Sequence, residues 1–237
     1  VSTTGVGHTA PASDGGTTMA TIIGGNANET ITGGFVSPSV TGGTPGAAAD
    51  SISAGGGADS VRGEGGNDTI DGGAGSDRLF GGNDNDLLIG GANNDTLDGG
   101  NGFDSASYAG ASAVTVALDG SRTATGDAVG DVFVSIEGLF GSNANDLLGG
   151  DGGDNLIDGT FDLPIAPDEA ASTGRGNDTL LGFGGNDTLF SGYGDDFLDG
   201  GEGFDVAAYS GATGGVFISL DGSIVAQRAG QGDTLVG

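Results

Sequence analysis

Cysteine is absent from this chain, and with it go disulfides, thiolate nucleophiles and cysteine-ligated zinc. Lysine is absent too. The five basic residues are Arg62, Arg78, Arg122, Arg175 and Arg228, so neither a phosphate-binding P-loop lysine nor a Schiff-base amine is present. There is no tryptophan, aromatics make up 6% of 237 residues, and a conventional layered core would be thin. The single histidine, His8, lies in a Ser/Thr/Gly-rich tail, and no G-x-S-x-G nucleophile elbow occurs. Against five cations stand 33 acids, a net charge of −28, which repels nucleic acid and anionic membranes. No apolar run approaches the roughly 18 residues of a membrane span, so membrane insertion is not expected. The opening VSTTGVGHTA carries no charged-then-apolar leader, and the chain reads as a piece of something longer. Taken together, these features point away from an enzyme.

What is abundant is glycine, 55 residues, and the acids fall on a grid. Six consecutive nine-residue frames run from Ala54: AGGGADSVR, GEGGNDTID, GGAGSDRLF, GGNDNDLLI, GGANNDTLD and GGNGFDSAS. Their sixth positions are Asp59, Asp68, Asp77, Asp86, Asp95 and Asp104, and their eighth are Val61, Ile70, Leu79, Leu88, Leu97 and Ala106. Position four is Gly57, Gly66, Gly75, Asp84, Asn93 and Gly102. Asp and Asn are the non-glycine residues that best tolerate a left-handed backbone, so a turn is being preserved. A disordered chain needs no such period.

A second block follows the same grammar from Gly141, with sixth positions Asp146, Asn155, Asp178, Asp187, Asp196 and Asp205, and a lone earlier frame, GGNANETIT, puts Glu29 in the acid place. The prolines fall outside these frames, which reads residues 35–53 and 160–173 as loops inserted into a regular stack. Each block closes alike, with GGNGFDSASYAGA or GGEGFDVAAYSGA. An alternating run around Asp119-Gly120 or Asp221-Gly222 follows, the short-range signal of a β-hairpin. The expected organisation is a Ser/Thr/Gly-rich segment over 1–20, a first roll over 21–107, a hairpin connector over 108–140, a second roll over 141–208 and a second, truncated hairpin over 209–237. Phe103, Phe204, Tyr108 and Tyr209 would plug the roll ends where position eight shrinks to alanine. Their alternative role is to stack against a surface polysaccharide.

The frames fit the consensus GGxGxDxUx and resemble the RTX family of secreted calcium-binding nonapeptide proteins over about residues 21–237. The resemblance implies an all-β fold, a right-handed parallel β-roll in two tandem blocks, with Ca²⁺ in the six-residue turns and one-step, unfolded export to the surface of a Gram-negative bacterium. The physical reading agrees. Frames two apart stack one strand spacing apart, about 4.8 Å, so their carboxylates face one gap and repel unless a cation fills it. Calcium takes six to eight oxygens, and turn carbonyls supply what the carboxylates do not. The pairs expected to share ions are Asp59/Asp77, Asp77/Asp95, Asp68/Asp86, Asp86/Asp104, Asp146/Asp178, Asp178/Asp196 and Asp187/Asp205, about seven sites. Asn155/Asp187 and Glu29/Asp68 are weaker, one lacking charge and the other having a longer arm.

Two functions of different class remain: a calcium-rigidified surface or matrix protein, or the secretion and folding module of a larger toxin, hydrolase or adhesin. The first predicts contacts between copies. The end GDTLVG repeats the start of the passage GDVFVSIEGLFGSNANDLLGG that joins the blocks, and TTMATIIGGNANETITGG repeats the rest. Copies are therefore expected to join head to tail, residues 17–25 of one beside 216–237 of the next.

Overall fold

The computed structural model describes residues 21–33, 35–36, 41–42, 44–159, 177–191 and 196–208, together with the strands 217–219, 225–227 and 234–236. The expected segment 1–20, with His8, the inserted loop 160–173 and Tyr209 lie outside the described residues. The molecule is a parallel β-roll. Strands of two to six residues form one eleven-stranded sheet along one face and two six-stranded sheets in succession along the other. Among the described residues the single helical element is a 3₁₀ turn, Gly126–Ala128.

The nine-residue frame explains this layout. Each frame contributes one strand and one glycine turn, so successive strands fall on opposite faces and every second one pairs in parallel. Ile70, for instance, lies opposite Ile52 and Leu88, and Leu79 opposite Val61 and Leu97. The eighth-position side chains then meet between the sheets. Ile31, Ile52, Val61, Ile70, Leu79, Leu88, Ala106, Leu139, Leu148, Ile157, Leu180, Leu189 and Leu198 are all buried, one file from each face forming a narrow core. The left-handed turn is present too: Asp84 has φ 72° and Asn93 φ 88°, in line with the positive φ of Gly75 and Gly102 at the same position.

The two inserts differ in how far they extend. Asp59 sits 30 residues from Glu29 in the ladder, an excess of twelve over the regular 18. That excess matches residues 33–44 rather than the expected 35–53. Residues 45–53 are a further frame, PGAAADSIS, whose strand Ser51–Ser53 joins the long sheet between Thr21–Ile23 and Thr69–Ala74. Within the insert, Phe35–Val36 and Thr41–Gly42 double back antiparallel onto Thr30–Thr32 and Thr21–Ile23. In the second block the partners lie 32 residues apart, an excess of fourteen, which is the length of 160–173.

The expected hairpins are replaced by more roll. Thr115–Ala117 pairs in parallel with Leu147–Gly149, and only one antiparallel bridge, Thr115 to Thr125, survives across the Asp119-Gly120 turn. Val132–Val134 then extends the first short sheet beside Thr96–Asn101, and Gly138–Phe140 enters the long sheet between Ser105–Ser107 and Leu156–Asp158. At the far end, Phe217–Ser219 and Val225–Gln227 likewise join different sheets in parallel. Alternation marks any strand with one face buried, and the stack offers a ready parallel edge that a hairpin would have left open. The long sheet therefore runs through both blocks without a break, while the opposite face changes from one short sheet to the other at the connector.

That continuity corrects the reading of the aromatics. Ala106 lies between Leu88 and Leu139, so no roll end exists there to plug. Phe204 is 72% and Phe103 39% exposed, whereas Tyr108 is buried.

Candidate metal centre

The sixth-position acids stand in columns beside the strands they precede. Along the long sheet the column is Asp50, Asp68, Asp86, Asp104, Glu137, Asn155, Asp187 and Asp205. Beside the first short sheet it is Glu29, Asp59, Asp77, Asp95 and Asp131, and beside the second Asp146, Asp178 and Asp196. One hydrogen bond recurs along the repeat frames, though not at Asp131 or Glu137, whose N–H groups donate to the Ala128 and Asp104 carbonyls: the backbone N–H of the sixth residue donates to the side-chain oxygen two frames on. Asp59 donates to Asp77 Oδ1, Asp77 to Asp95, Asp68 to Asp86 and Asp86 to Asp104, all at 2.7–2.8 Å. Asp146 donates to Asp178, Asp178 to Asp196 and Asp187 to Asp205 at 2.8–3.0 Å. The structure thus brings together all seven expected pairs, and Asn155 with Asp187 at 2.8 Å. Glu29 is corrected: its N–H reaches Asp59, not Asp68, because the insert displaces the register and Thr30–Thr32 pairs with Ser60–Gly65.

Sequence reasoning missed Asp50, Asp131 and Glu137. Asp50 donates to Asp68 Oδ1, while Asp131 and Glu137 receive the N–H groups of Asp95 and Asp104. The available signal was an acid two residues before an inward apolar one, Ile52, Phe133 and Leu139, without the glycines. A second ladder was also missed, one residue earlier in the frame. Asn28 accepts from Ala58 N–H, Asn67 from Asn85, Asn85 from Phe103, Asn145 from Asn177 and Asn186 from Phe204. The recurrent Asn-Asp-Thr triplets follow from these two adjoining ladders.

Each ladder carboxylate uses Oδ1 for that bond, which leaves Oδ2. In Asp59, Asp68, Asp77, Asp86, Asp95, Asp104, Asp178, Asp187 and Asp205, Oδ2 is buried without a hydrogen-bond partner. An ionised oxygen in that state is strongly unfavourable unless a cation faces it. Burial accordingly raises the acids. Asp59 is pushed up to about 6, Asp68, Asp86, Asp95 and Asp187 to about 7, and Asp178 to about 8. The incoming N–H opposes the rise, and neighbouring carboxylates add to it. Asp77, Asp104, Asp131 and Asp146 are raised as well, first of all by burial.

The surroundings of Oδ2 fit a hard cation with oxygen ligands. A Cβ placed on the first glycine of a frame would strike that frame's own carboxylate, and commonly the glycine carbonyl two frames on. At Gly63 these are Asp68 and Gly81 O, at Gly81 Asp86 and Gly99 O, at Gly72 Asp77 and Gly90 O. The φ at these glycines is ordinary, so glycine is needed there for space, and what it makes room for is a meeting of carboxylate and carbonyl oxygens. Among the described residues no three acidic or histidine side chains converge. Carboxylates alone therefore do not complete a shell of six to eight oxygens, and turn carbonyls must contribute. Gly81→Ala should consequently lose bound calcium and weaken the apparent calcium midpoint by about tenfold or more, of order 1.4 kcal/mol. Gly152→Ala, where a Cβ meets nothing within 4 Å, should change neither. Equilibrium dialysis of both variants checks this, and equal counts would refute the cradle.

A search of curated proteins finds no match for the chain. A family model described as the RTX calcium-binding nonapeptide repeat, four copies long, matches residues 45–79, 71–106 and 172–207. These segments include the cradles at Gly63, Gly72 and Gly81, and such repeats bind Ca²⁺ and are typical of secreted bacterial proteins. Among the described residues no helix is long and apolar enough to cross a membrane. Over residues 45–106 and 172–207 the chain thus carries RTX calcium-binding nonapeptide repeats.

Proposed function

We propose that the chain is an extracellular structural protein, without catalytic activity of its own, whose rod is assembled by about seven or more calcium ions after export. Its copies join head to tail into a surface layer, matrix or filament on a Gram-negative cell. The observation that carries this reading is the unbroken long sheet. Two repeat blocks already meet end to end inside one chain by adding parallel strands, so a roll end is a surface another roll can extend. The outermost strands at one end are Val225–Gln227 and Thr234–Val236. At the other, Thr21–Ile23 has Ser51–Ser53 on one side and only the two-residue Thr41–Gly42 on the other. In the assembly a neighbour's Val225–Gln227 takes the place of Thr41–Gly42, and three parallel residue pairs replace two antiparallel ones. The exposed rings of Phe103 and Phe204 are where a surface polysaccharide would stack.

Sedimentation velocity over a range of protein concentrations in millimolar calcium tests the assembly. The full chain should form open-ended oligomers. Ala226→Pro combined with Leu235→Pro, which blocks pairing at both outer strands, should leave folded monomers. A chain that is monomeric at every concentration overturns the assembly and favours a secretion and folding module of a larger protein.

A further inference from the structure

The matched repeats stop at residue 106 and resume at 172, and the connector 107–140 that follows the first block holds no GGxGxD turn. The geometry nevertheless points to one more calcium site inside it, at the seam between the blocks. We propose that the turn of Gly99–Asp104 and the segment Ser135–Glu137 together hold a calcium ion through Asp104 Oδ2, the Ser135 carbonyl and the Glu137 carboxylate, tying the two blocks into one rod. This rests on the calcium reading of the repeats.

Three observations converge on the seam. Asp104 is fully buried, its Oδ1 accepts from Asp86 N–H at 2.8 Å, and its Oδ2 has no hydrogen-bond partner. A Cβ on Gly99 would strike both Asp104 and the carbonyl oxygen of Ser135. That is the arrangement at Gly63, Gly72 and Gly81, with Ser135 standing where a frame's first glycine stands. Ser135 itself adopts a left-handed backbone, φ 49°, one of five non-glycine residues with positive φ among the described residues. Finally, Glu137 takes the sixth-position part: its Oε2 accepts from Asp104 N–H at 2.9 Å, and Gly138–Phe140 pairs with Ser105–Ser107 in the repeat register. Glutamate stands here where a frame has aspartate, and its longer arm reaches the same N–H from a shorter, glycine-free turn.

The other column at the seam ends differently. Asp131 accepts from Asp95 N–H through Oδ1 and from the Tyr108 hydroxyl through Oδ2, both at 2.8 Å. Burial and the adjacent carboxylate raise the phenol far above its ordinary range, so the proton stays on Tyr108 and the hydroxyl remains a donor. A Cβ on Gly90 would meet only Asp95 among its nearest atoms, with no connector carbonyl opposite. A hydroxyl thus closes the column beside the first short sheet, whereas an ion carries the long-sheet column across.

The test compares the full chain with two charge-removing variants in saturating calcium, counting ions by native mass spectrometry and following thermal unfolding. Glu137→Gln should bind one ion fewer and separate the single melting transition into two. Asp131→Asn should keep the full count and one transition. An unchanged count in Glu137→Gln overturns the proposal, and so does equal loss in both variants. Should Glu137→Gln fail to fold, a crystal structure of the unaltered chain grown in calcium decides. An ion bound by Asp104 Oδ2 and the Ser135 carbonyl supports the site, and ions in the repeat turns with none at the seam overturn it. A chain that binds no calcium at all would instead refute the reading of the repeats.

Discussion

In excess chelator at neutral pH the chain should lose most of its strand signal in circular dichroism and expand toward the roughly 50 Å radius of gyration of an unfolded chain this long. The expectation follows from the columns. With a net charge of −28 and buried Oδ2 atoms facing one another's gaps, the folded form without cations concentrates repulsion where water does not screen it. The core offsets little of this, since each frame contributes only one modest inward side chain to it. Extracellular modules bind calcium with Kd of about 10⁻⁴–10⁻³ M. At millimolar ion and a tenfold lower Kd each site contributes about 1.4 kcal/mol, so seven independent sites supply on the order of 10 kcal/mol. That is as large as the whole stability of an ordinary domain. At cytosolic calcium the same term nearly vanishes. Magnesium at equal concentration should not restore the fold, because it demands a tighter octahedral shell and gives up water reluctantly. A compact, strand-rich protein in chelator would sink the mechanism.

Much of this arrangement was legible in the sequence because two independent needs write the same nine-residue period. The inward residue must be apolar and the residue two before it must be an acid, so Leu88 and Asp86 identify each other. The fourth position confirmed the turn, since Asp84 and Asn93 are substitutions only a left-handed backbone invites. What was not legible is where those needs are met by other residues. Asp50 sits in a frame without the usual glycines, and Ser135 takes on a left-handed φ that a glycine pattern does not anticipate. The two Asp-Gly turns looked like hairpin turns because inward–outward alternation is the same for a strand paired with its neighbour in sequence or with one thirty residues away. Phe103 and Phe204 looked like plugs because position eight shrinks to alanine beside them. The sheet continues past Ala106 to Leu139 and past Ala207 to Ala226, so the rings are free to face solvent.

Protons should stand in for calcium. In chelator, acidification from pH 8 to 4 should restore the strand signal that chelation removed, and re-alkalinisation should abolish it. In the unfolded chain the carboxyls ionise near pH 4. In the roll, burial holds Asp68, Asp86, Asp95 and Asp187 protonated up to about 7 and Asp178 up to about 8. Below pH 4 the acids are neutral in both forms and the fold bears no electrostatic penalty. Between 4 and 7 the unfolded chain releases protons that the roll retains, so each unit of pH rise favours unfolding, and the fold's advantage is lost as pH passes the folded values. Calcium reverses the slope, because an ion binds the ionised carboxylates and must expel the protons. Its midpoint should therefore move to higher concentration on going from pH 8 to 5, about tenfold per unit for each proton released per ion. Calorimetry in buffers of different ionisation enthalpy should show protons leaving as calcium enters at pH 7. A calcium midpoint that is flat from pH 8 to 5, or a metal-free chain that stays unfolded at pH 4, would show that the columns are ionised in the folded state without calcium and that their burial is not what calcium relieves.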